Sequence, residues 1–187
     1  MMSKTFWLTI TVLLAIAVHA SYVLFTPRME MRARMQRLAG GKANAFRVYS
    51  GEDLAALTKK PLKYMLYGGC LIDTDDGAVE MSARIPRGFW SVTVYSPSGD
   101  VVYTLNDRHA DLDKLAIVFR KKQSGADGEI QAPRLRGGKL MVPLDSSRAL
   151  AVVQAYVWHP GMRQRVSEQL NASSCHVLSG GADNSAG

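Results

Sequence analysis

The most apolar part of the chain is an unbroken run near its N-terminus. Phe6–Phe25 holds twenty residues without a charge. At about 1.5 Å per residue, a helix of that length spans roughly 30 Å, the thickness of the hydrocarbon core of a bilayer. Trp7 and Tyr22 lie near its two ends, as aromatic residues do at membrane interfaces. The pattern predicts one N-terminal transmembrane helix, with the anchor at positions 1–27.

A cleaved secretory signal is the alternative for the same segment. Val18-His19-Ala20 forms a small-residue cleavage pattern before Ser21. The apolar run nevertheless continues to Phe25, whereas the apolar core of a cleaved signal usually has about 7–15 residues. We therefore expect the segment to remain in the mature protein as an anchor.

A short basic helix is predicted directly after the span, at 28–39, with a linker that runs to position 43. This helix carries Arg28, Arg32, Arg34 and Arg37. Such side chains can bind the phosphates of a membrane surface. Counted by the positive-inside rule, this flank favours a cytoplasmic domain. The export-like N-terminal segment favours the opposite side, and we expect the domain to be periplasmic.

The region 44–170 has the alternation and the turn signals of a single β-rich domain. Thr74–Gly77 and Pro97–Gly99 are predicted to be hairpin turns. Trp90, Val92 and Val94 alternate with more polar residues and are predicted to face the core. The predicted strands are Tyr64–Asp73, Ala78–Ile85, Phe89–Ser96, Asp100–Leu105, Leu115–Arg120, Leu140–Pro143 and Ala149–Trp158.

Short helices are expected on either side of these strands. Ser50 can cap a helix that Pro61 ends, and Pro160 can begin a closing helix. The tail 171–187 is small and polar, which predicts disorder. Closely spaced strands with turn signals favour an antiparallel β-sandwich over a βαβ array. The predicted fold class is therefore mainly β, with one transmembrane helix before the domain.

The net positive charge of the chain is compatible with more than one class of partner. The 187 residues carry a net charge of +7, which fits nucleic acid or an anionic membrane surface. The basic loop 120–138 lacks stacking aromatics and any recognised nucleic-acid module. With a membrane segment present, lipid headgroups are the simpler explanation, and nucleic acid is not expected as a partner.

Motifs that would indicate catalysis or a cofactor are missing from the sequence. Four scattered histidines and two distant cysteines do not form a zinc pattern, and no nucleophile elbow, P-loop or dinucleotide-binding fingerprint occurs. We predict no metal, no cofactor and no enzymatic activity. Cys70 and Cys175 form a candidate disulfide, because two cysteines in an oxidising compartment tend to pair.

The densest polar cluster comes directly after a predicted strand, at Asn106-Asp107-Arg108. One interpretation is a turn that the Asn and Asp side chains satisfy. The other is a binding site for a ligand or partner at the end of the sheet. A pocket there would favour a small-ligand-binding or enzymatic domain over a non-enzymatic interaction module.

Several pieces, taken in order, carry a family resemblance over about residues 15–120. They are Ala17-Val18-His19, Leu24-Phe25-Thr26-Pro27-Arg28, Tyr67-Gly68-Gly69-Cys70, Asp76-Gly77, Phe89-Trp90-Ser91-Val92-Thr93-Val94-Tyr95, Gly99-Asp100 and Leu105-Asn106-Asp107-Arg108. The chain resembles the short, single-pass form of a bacterial family, domain of unknown function 1254. The resemblance implies a β-sandwich, membrane association and a companion membrane protein as partner, and it supplies no catalytic residues.

These observations together predict a single-pass protein of the bacterial inner membrane with a non-enzymatic envelope interaction domain. The lipid bilayer is the first expected partner. A companion membrane protein is the second, bound through the sheet or the transmembrane helix. In that helix, Ala17 and Ser21 form a small-residue stripe beside His19. The alternative for His19 is that it merely reaches the interface.

Overall fold

The N-terminal half-apolar, half-basic segment is one continuous helix in the computed structural model, which describes residues 3–57, 63–84, 88–108, 114–122 and 133–178. Helix α1 spans Lys4–Ala39 and has Pro27 inside it. Ser3 caps its start, and Gly40 ends it in the left-handed conformation with φ 57°. The basic helix predicted at 28–39 is the C-terminal part of this same helix, and its last turns pack on the β domain.

Ten described strands form the domain. They are β1 Phe46–Val48, β2 Met65–Asp73, β3 Val79–Arg84, β4 Trp90–Tyr95, β5 Val101–Asn106, β6 Lys114–Lys121, β7 Arg134–Arg136, β8 Lys139–Leu144, β9 Arg148–Tyr156 and β10 Ser174–Val177.

These strands form two five-stranded sheets. The first has the order β1-β2-β9-β4-β5, and the second has the order β10-β3-β6-β8-β7. Among the described strands only β6 and β8 pair in parallel. The predicted mainly β, sandwich-like fold class is confirmed.

The main core lies between the two sheets. Strand β4 contributes Trp90, Val92 and Val94, which are 3%, 0% and 0% exposed. They share one apolar cluster with Met81 and Phe119 of the second sheet. The predicted inward face of β4 is confirmed, since its alternate residues are all only partly buried.

The predicted hairpin between the second and third strands is wrong. β2 pairs with β1 and β9, while β3 lies in the other sheet beside β10 and β6. Thr74 is buried at this point, and its N–H and hydroxyl both donate to the carbonyl of Ser147, at 2.8 and 3.0 Å. These bonds tie the corner to the β8–β9 turn, so the chain crosses from one sheet to the other. The predicted hairpin between β4 and β5 is confirmed by their antiparallel register.

Three short strands were not predicted from the sequence. β1 and β7 have three residues each, and β10 has four. β10 lies in the tail 171–187, which was expected to be disordered. The structure corrects that expectation for Ser174–Val177, because this segment pairs antiparallel with Val79–Ser82 of β3.

Helices cover an outer face and an edge of the sandwich. Helix α2, Gly51–Leu57, begins where the sequence predicted a helix; the remainder of that predicted helix, 58–61, lies outside the described residues. A 3-10 turn at Pro160–Met162 leads into α3, Arg163–Asn171. Helix α3 packs against β1, β2 and β3 and buries Val166 and Leu170 in the main core. It therefore closes the edge between the sheets.

The end of α1 covers the outer face of the first sheet. Met35 and Leu38 are 4% and 1% exposed and share a second apolar cluster with Tyr67 and Val152 of β2 and β9. Arg47 of β1 donates from Nη1 to the carbonyl of Leu38 at 3.1 Å, which satisfies one carbonyl at the helix end. The helix that carries the apolar span is thus part of the domain's own packing.

Candidate functional site

The sequence-predicted site lies at one end of the first sheet. The N–H of Asp107 donates to the carbonyl of Trp90 at 3.3 Å, and the N–H of Arg108 donates to Oδ1 of Asn106 at 3.2 Å. Arg108 is exposed. Oδ1 of Asp107 is buried and has no hydrogen-bond partner among the described residues. The three residues form a local turn, and their role in binding stays a prediction.

A cleft of about 850 Å³ lies at the other end of the sheet. Its lining comes from Arg28 and Arg32 of α1, from the β4–β5 turn, from the β8–β9 turn and from Lys122. Strand β4 separates this end from the Asn106–Arg108 end, and its six residues span roughly 20 Å. The structure therefore does not bring the predicted site residues into this cleft.

Two arginines of the cleft differ from its other cations in having no side-chain partner among the described residues. Arg28 and Arg32 are one helical turn apart and exposed, and the guanidinium group of neither makes a hydrogen bond or ion pair within the described ranges. Lys122 pairs with Asp145 at 2.6 Å. Arg148 pairs with the carboxylate of Asp73 at 2.9 Å. The two helix arginines are therefore the cations available to a ligand.

The Asp73 carboxylate is held in its charged form. Partial burial alone would raise the pKa of Asp73. The hydrogen bond from the N–H of Asp75, at 3.1 Å, and the ion pair with Arg148 outweigh that effect, so the pKa lies below its usual value. The Asp73 carboxylate therefore compensates the positive charge of Arg148 at neutral pH, although the Arg148 side chain borders the cleft.

The β4–β5 turn is held by its own side chains and lies beside α1. Ser98 donates from Oγ to the carboxylate of Asp100 at 2.6 Å, and the N–H of Asp100 donates to Oγ of Ser96 at 3.1 Å. A side chain added at Gly99 would meet Met31 at 3.8 Å, so the tip of this turn lies beside the helix. Ser98 and Asp100 of the turn line the cleft together with Arg28 and Arg32 of the helix.

The apolar half of α1 is not buried by any other described part of the chain. The 18-residue window that is apolar enough to cross a membrane is 0% buried inside the structure. Leu24 and Phe25, at the end of the span, are 60% and 58% exposed. Arg28 follows Phe25 by one helical turn, and the cleft begins there. A helix of this length and composition fits a membrane span and equally a signal sequence.

An exposed aromatic surface lies at the opposite end of the first sheet, and sequence reasoning did not identify it. Tyr64, Phe89, Tyr156 and Trp158 are 40–61% exposed. Backbone bonds hold their chain segments together: the N–H of Tyr156 donates to the carbonyl of Phe89, and that of Val157 to the carbonyl of Tyr64. Tyr64, Phe89 and the Tyr156/Trp158 pair come from three separate parts of the chain, and the pairing of β9 with both β2 and β4 brings them together.

The Tyr67-Gly68-Gly69-Cys70 motif has a structural role. A Cβ at Gly69 would lie 2.5 Å from the hydroxyl of Tyr49 and even closer to the carbonyl oxygen of Ala151. Glycine at this position therefore allows Tyr49 to lie flat against β2. Cys70 follows directly and forms a disulfide with Cys175.

The described residues contain neither a metal-type cluster nor a free thiol. Within these ranges no group of three or more His, Cys, Asp or Glu side chains is arranged to hold a metal ion. Both cysteines are bonded to each other, so neither thiol can act as a nucleophile in this form. The cleft offers charged and hydroxyl groups, which suits binding of an ionic ligand.

The comparisons with known proteins address the fold alone. No family model matches the chain, and no curated protein matches it. The fold is similar to the VPA0106 protein from Vibrio parahaemolyticus, with a TM-score of 0.58 and 8% identity over 83% of this chain and 37% of that protein. An uncharacterised protein from Burkholderia cenocepacia has a TM-score of 0.49 and 12% identity, covering 86% and 43% of the two chains. The chain spans less than half of the length of either relative.

Proposed function

We propose that this protein is a single-pass anchor of the bacterial inner membrane whose β-sandwich faces the periplasm and acts as a non-enzymatic interaction module. The observation that carries the proposal is the double role of α1. Its apolar half is unburied, and its last turns supply Met35 and Leu38 to the packing of the first sheet. A lipid bilayer would cover the apolar half and hold the domain at a fixed orientation to the membrane surface.

Retention of the span is supported by what cleavage would leave behind. Removal of residues before Ser21 would leave Tyr22 to Phe25 on the mature chain, where all four side chains are more than half exposed. A contiguous exposed apolar patch of this kind favours association with a membrane or a partner over free solution. An uncleaved anchor removes this problem.

The periplasmic side is supported by the disulfide between Cys70 and Cys175. Disulfides persist in oxidising compartments and are rare in the cytosol. The resemblance to domain of unknown function 1254 agrees with an exported domain, and membership of that family is part of this proposal. A companion membrane protein, bound through α1 or the sheet, would then be the partner of the module.

Protease accessibility in cells tests the proposal. Full-length protein with a C-terminal tag is expected to stay in the membrane after carbonate extraction, and protease added to spheroplasts is expected to digest the domain. A cytoplasmic membrane protein serves as the protected control. Protein that is released by carbonate and begins at Ser21, or a domain that resists protease until the membrane is lysed, would contradict the anchor or the orientation respectively.

A small-ligand-binding or enzymatic domain is the second candidate, with its pocket at the Asn106–Arg108 end. The buried Oδ1 of Asp107, which has no partner within the described part of the chain, favours it, because such an atom loses hydrogen bonds to water unless a ligand or ion replaces them. A ligand that stabilises the wild-type protein and not Asp107→Ala would support this function. Equal stabilisation of both proteins would locate the binding elsewhere.

A further inference from the structure

We propose that the cleft between α1 and the two turns binds the phosphodiester of an anionic phospholipid headgroup, with Arg28 and Arg32 as its ligands. The inference rests on the proposed membrane anchoring and deepens it, because it identifies the chemical partner of one surface of the module. The lipid would enter from the membrane side of the cleft, where the apolar span ends.

Arg28 and Arg32 lie close to the level at which the apolar span ends. With a rise of 1.5 Å per residue, Arg28 lies about 4.5 Å and Arg32 about 10 Å beyond Phe25. The headgroup region adds about 5–8 Å to each side of the hydrocarbon core. Arg28 therefore lies within the headgroup region, and the long side chain of Arg32, whose backbone lies just outside it, can reach back towards the lipid phosphates. The β4–β5 turn reaches the same level, since Gly99 approaches Met31.

The described lining of the cleft carries more positive than negative groups. Among the described residues, the lining of the cleft has four cations, Arg28, Arg32, Lys122 and Arg148, and two carboxylates, those of Asp100 and Asp145. Asp145 is paired with Lys122, and Arg148 is paired with Asp73 outside the cleft lining. Across the described residues the guanidinium groups of Arg28 and Arg32 have no carboxylate of their own. Guanidinium binds phosphate oxygens through two parallel hydrogen bonds, so these two side chains suit a phosphodiester.

The remaining polar groups suit the alcohol part of an anionic headgroup. The carboxylate of Asp100 accepts hydrogen bonds from the hydroxyls of Ser96 and Ser98 in its own turn and has further acceptor positions. Asp145 is 79% exposed at its side chain and likewise accepts. Hydroxyls such as those of a glycerol headgroup can donate to these oxygens while the phosphate stays on the arginines. The volume of about 850 Å³ is ample for one headgroup.

The test uses the full chain in lipid nanodiscs that contain phosphatidylcholine and a minor share of a phosphatidylglycerol analogue with a photoreactive headgroup. Crosslinked peptides are expected from the β4–β5 and β8–β9 turns. Arg28→Gln/Arg32→Gln is expected to lower this crosslinking about tenfold, the effect of losing one charge-assisted interaction or more. Arg34→Gln/Arg37→Gln is the matched control, with the same charge change on the same helix outside the cleft, and it is expected to keep wild-type crosslinking.

The other outcomes separate the alternatives. Equal losses in both double variants, or crosslinks spread over the domain, would overturn the cleft as a site while the protein stays in the disc. No crosslinking by the lipid analogue, together with thermal stabilisation of the wild type and not of Arg28→Gln/Arg32→Gln by soluble glycerol phosphate in discs of phosphatidylcholine alone, would show that free phosphate occupies the cleft, which overturns the lipid. Preferential crosslinking by a phosphatidylethanolamine analogue would overturn the choice of an anionic headgroup. Protein that fails to enter the discs would instead contradict the anchor itself.

Discussion

Cys70 of β2 and Cys175 of β10 join the two sheets of the sandwich, with their Cα atoms 6.4 Å apart. The bond closes the edge that α3 also covers, and it fixes the last described strand to the domain. The two cysteines are separated by 105 residues in sequence, so the bond restricts most of the unfolded domain.

Loss of this bond is expected to destabilise the domain substantially. For a loop of this length, chain-entropy arithmetic gives an upper estimate of about 4–5 kcal/mol in the free energy of unfolding. Urea unfolding of Cys70→Ala/Cys175→Ala, compared with wild type with and without reductant, measures it. The variant should not respond to reductant. Two reactive thiols in denatured, non-reduced wild-type protein would contradict the bond.

Adjacent aromatic residues at the start of β4 give a matched pair for core packing. Trp90 is 3% exposed and Phe89 is 48% exposed. Trp90→Ala is expected to lower the free energy of unfolding by about 3–5 kcal/mol, because it empties a filled core position. Phe89→Ala is expected to change it by less than about 1 kcal/mol. Similar losses for the two variants in denaturant titrations would contradict the assigned faces of the strand.

Gly69 is expected to tolerate no side chain. A Cβ there meets Tyr49 and the backbone of Ala151, so Gly69→Ala should cost about 1–3 kcal/mol through overpacking. Gly51 begins α2 in open space, with no atom within 4 Å of an added Cβ. Gly51→Ala is therefore the control, and its melting temperature should stay near that of wild type. Equal melting temperatures for both variants would show that β2 has room for the methyl group.

The stability contributed by Asp73 is expected to depend on pH. Its pKa is lower in the folded protein than the usual unfolded value of about 3.9, so the folded state favours the charged carboxylate. That contribution is fully present above the unfolded pKa and is lost as the pH falls through the folded pKa. Asp73→Asn should therefore be less stable than wild type at neutral pH.

The difference between the two proteins should shrink in acid, below about pH 4, where wild-type Asp73 takes up its proton. Chemical unfolding at a series of pH values measures this convergence. Asp76→Asn, at an exposed position of the same turn, is the control and should follow wild type throughout. A pH-independent difference for Asp73→Asn would contradict a role for its charge.

Arg108→Ala is expected to leave folding intact. The side chain is exposed, and the turn uses only the backbone N–H of this residue, which donates to Asn106. The melting temperature should therefore change little, corresponding to less than about 0.5 kcal/mol. Asn106→Ala removes the acceptor of that turn bond and should be the more destabilising of the two. A large loss of stability in Arg108→Ala would assign it a structural ion pair.

Local patterns were enough to predict the strand that buries one face and the long apolar helix. The twenty uncharged residues before Thr26 predict a long helix by length and hydropathy alone, and the alternation at Trp90, Val92 and Val94 predicts an inward face. These features depend on side-chain periodicity, which is a property of the sequence itself. The mainly β fold class followed from the number and spacing of such segments.

Only the tertiary structure decided which strands became neighbours and where the cleft lies. Thr74–Gly77 has the composition of a hairpin turn, yet Thr74 bonds to Ser147 and the chain passes into the other sheet. β10 is too short and polar to be recognised alone, and it is ordered by pairing with β3. The cleft joins Arg28, Asp100 and Asp145, residues far apart in the chain. Long-range pairing and helix docking bring them together, and neither leaves a local signal in the sequence.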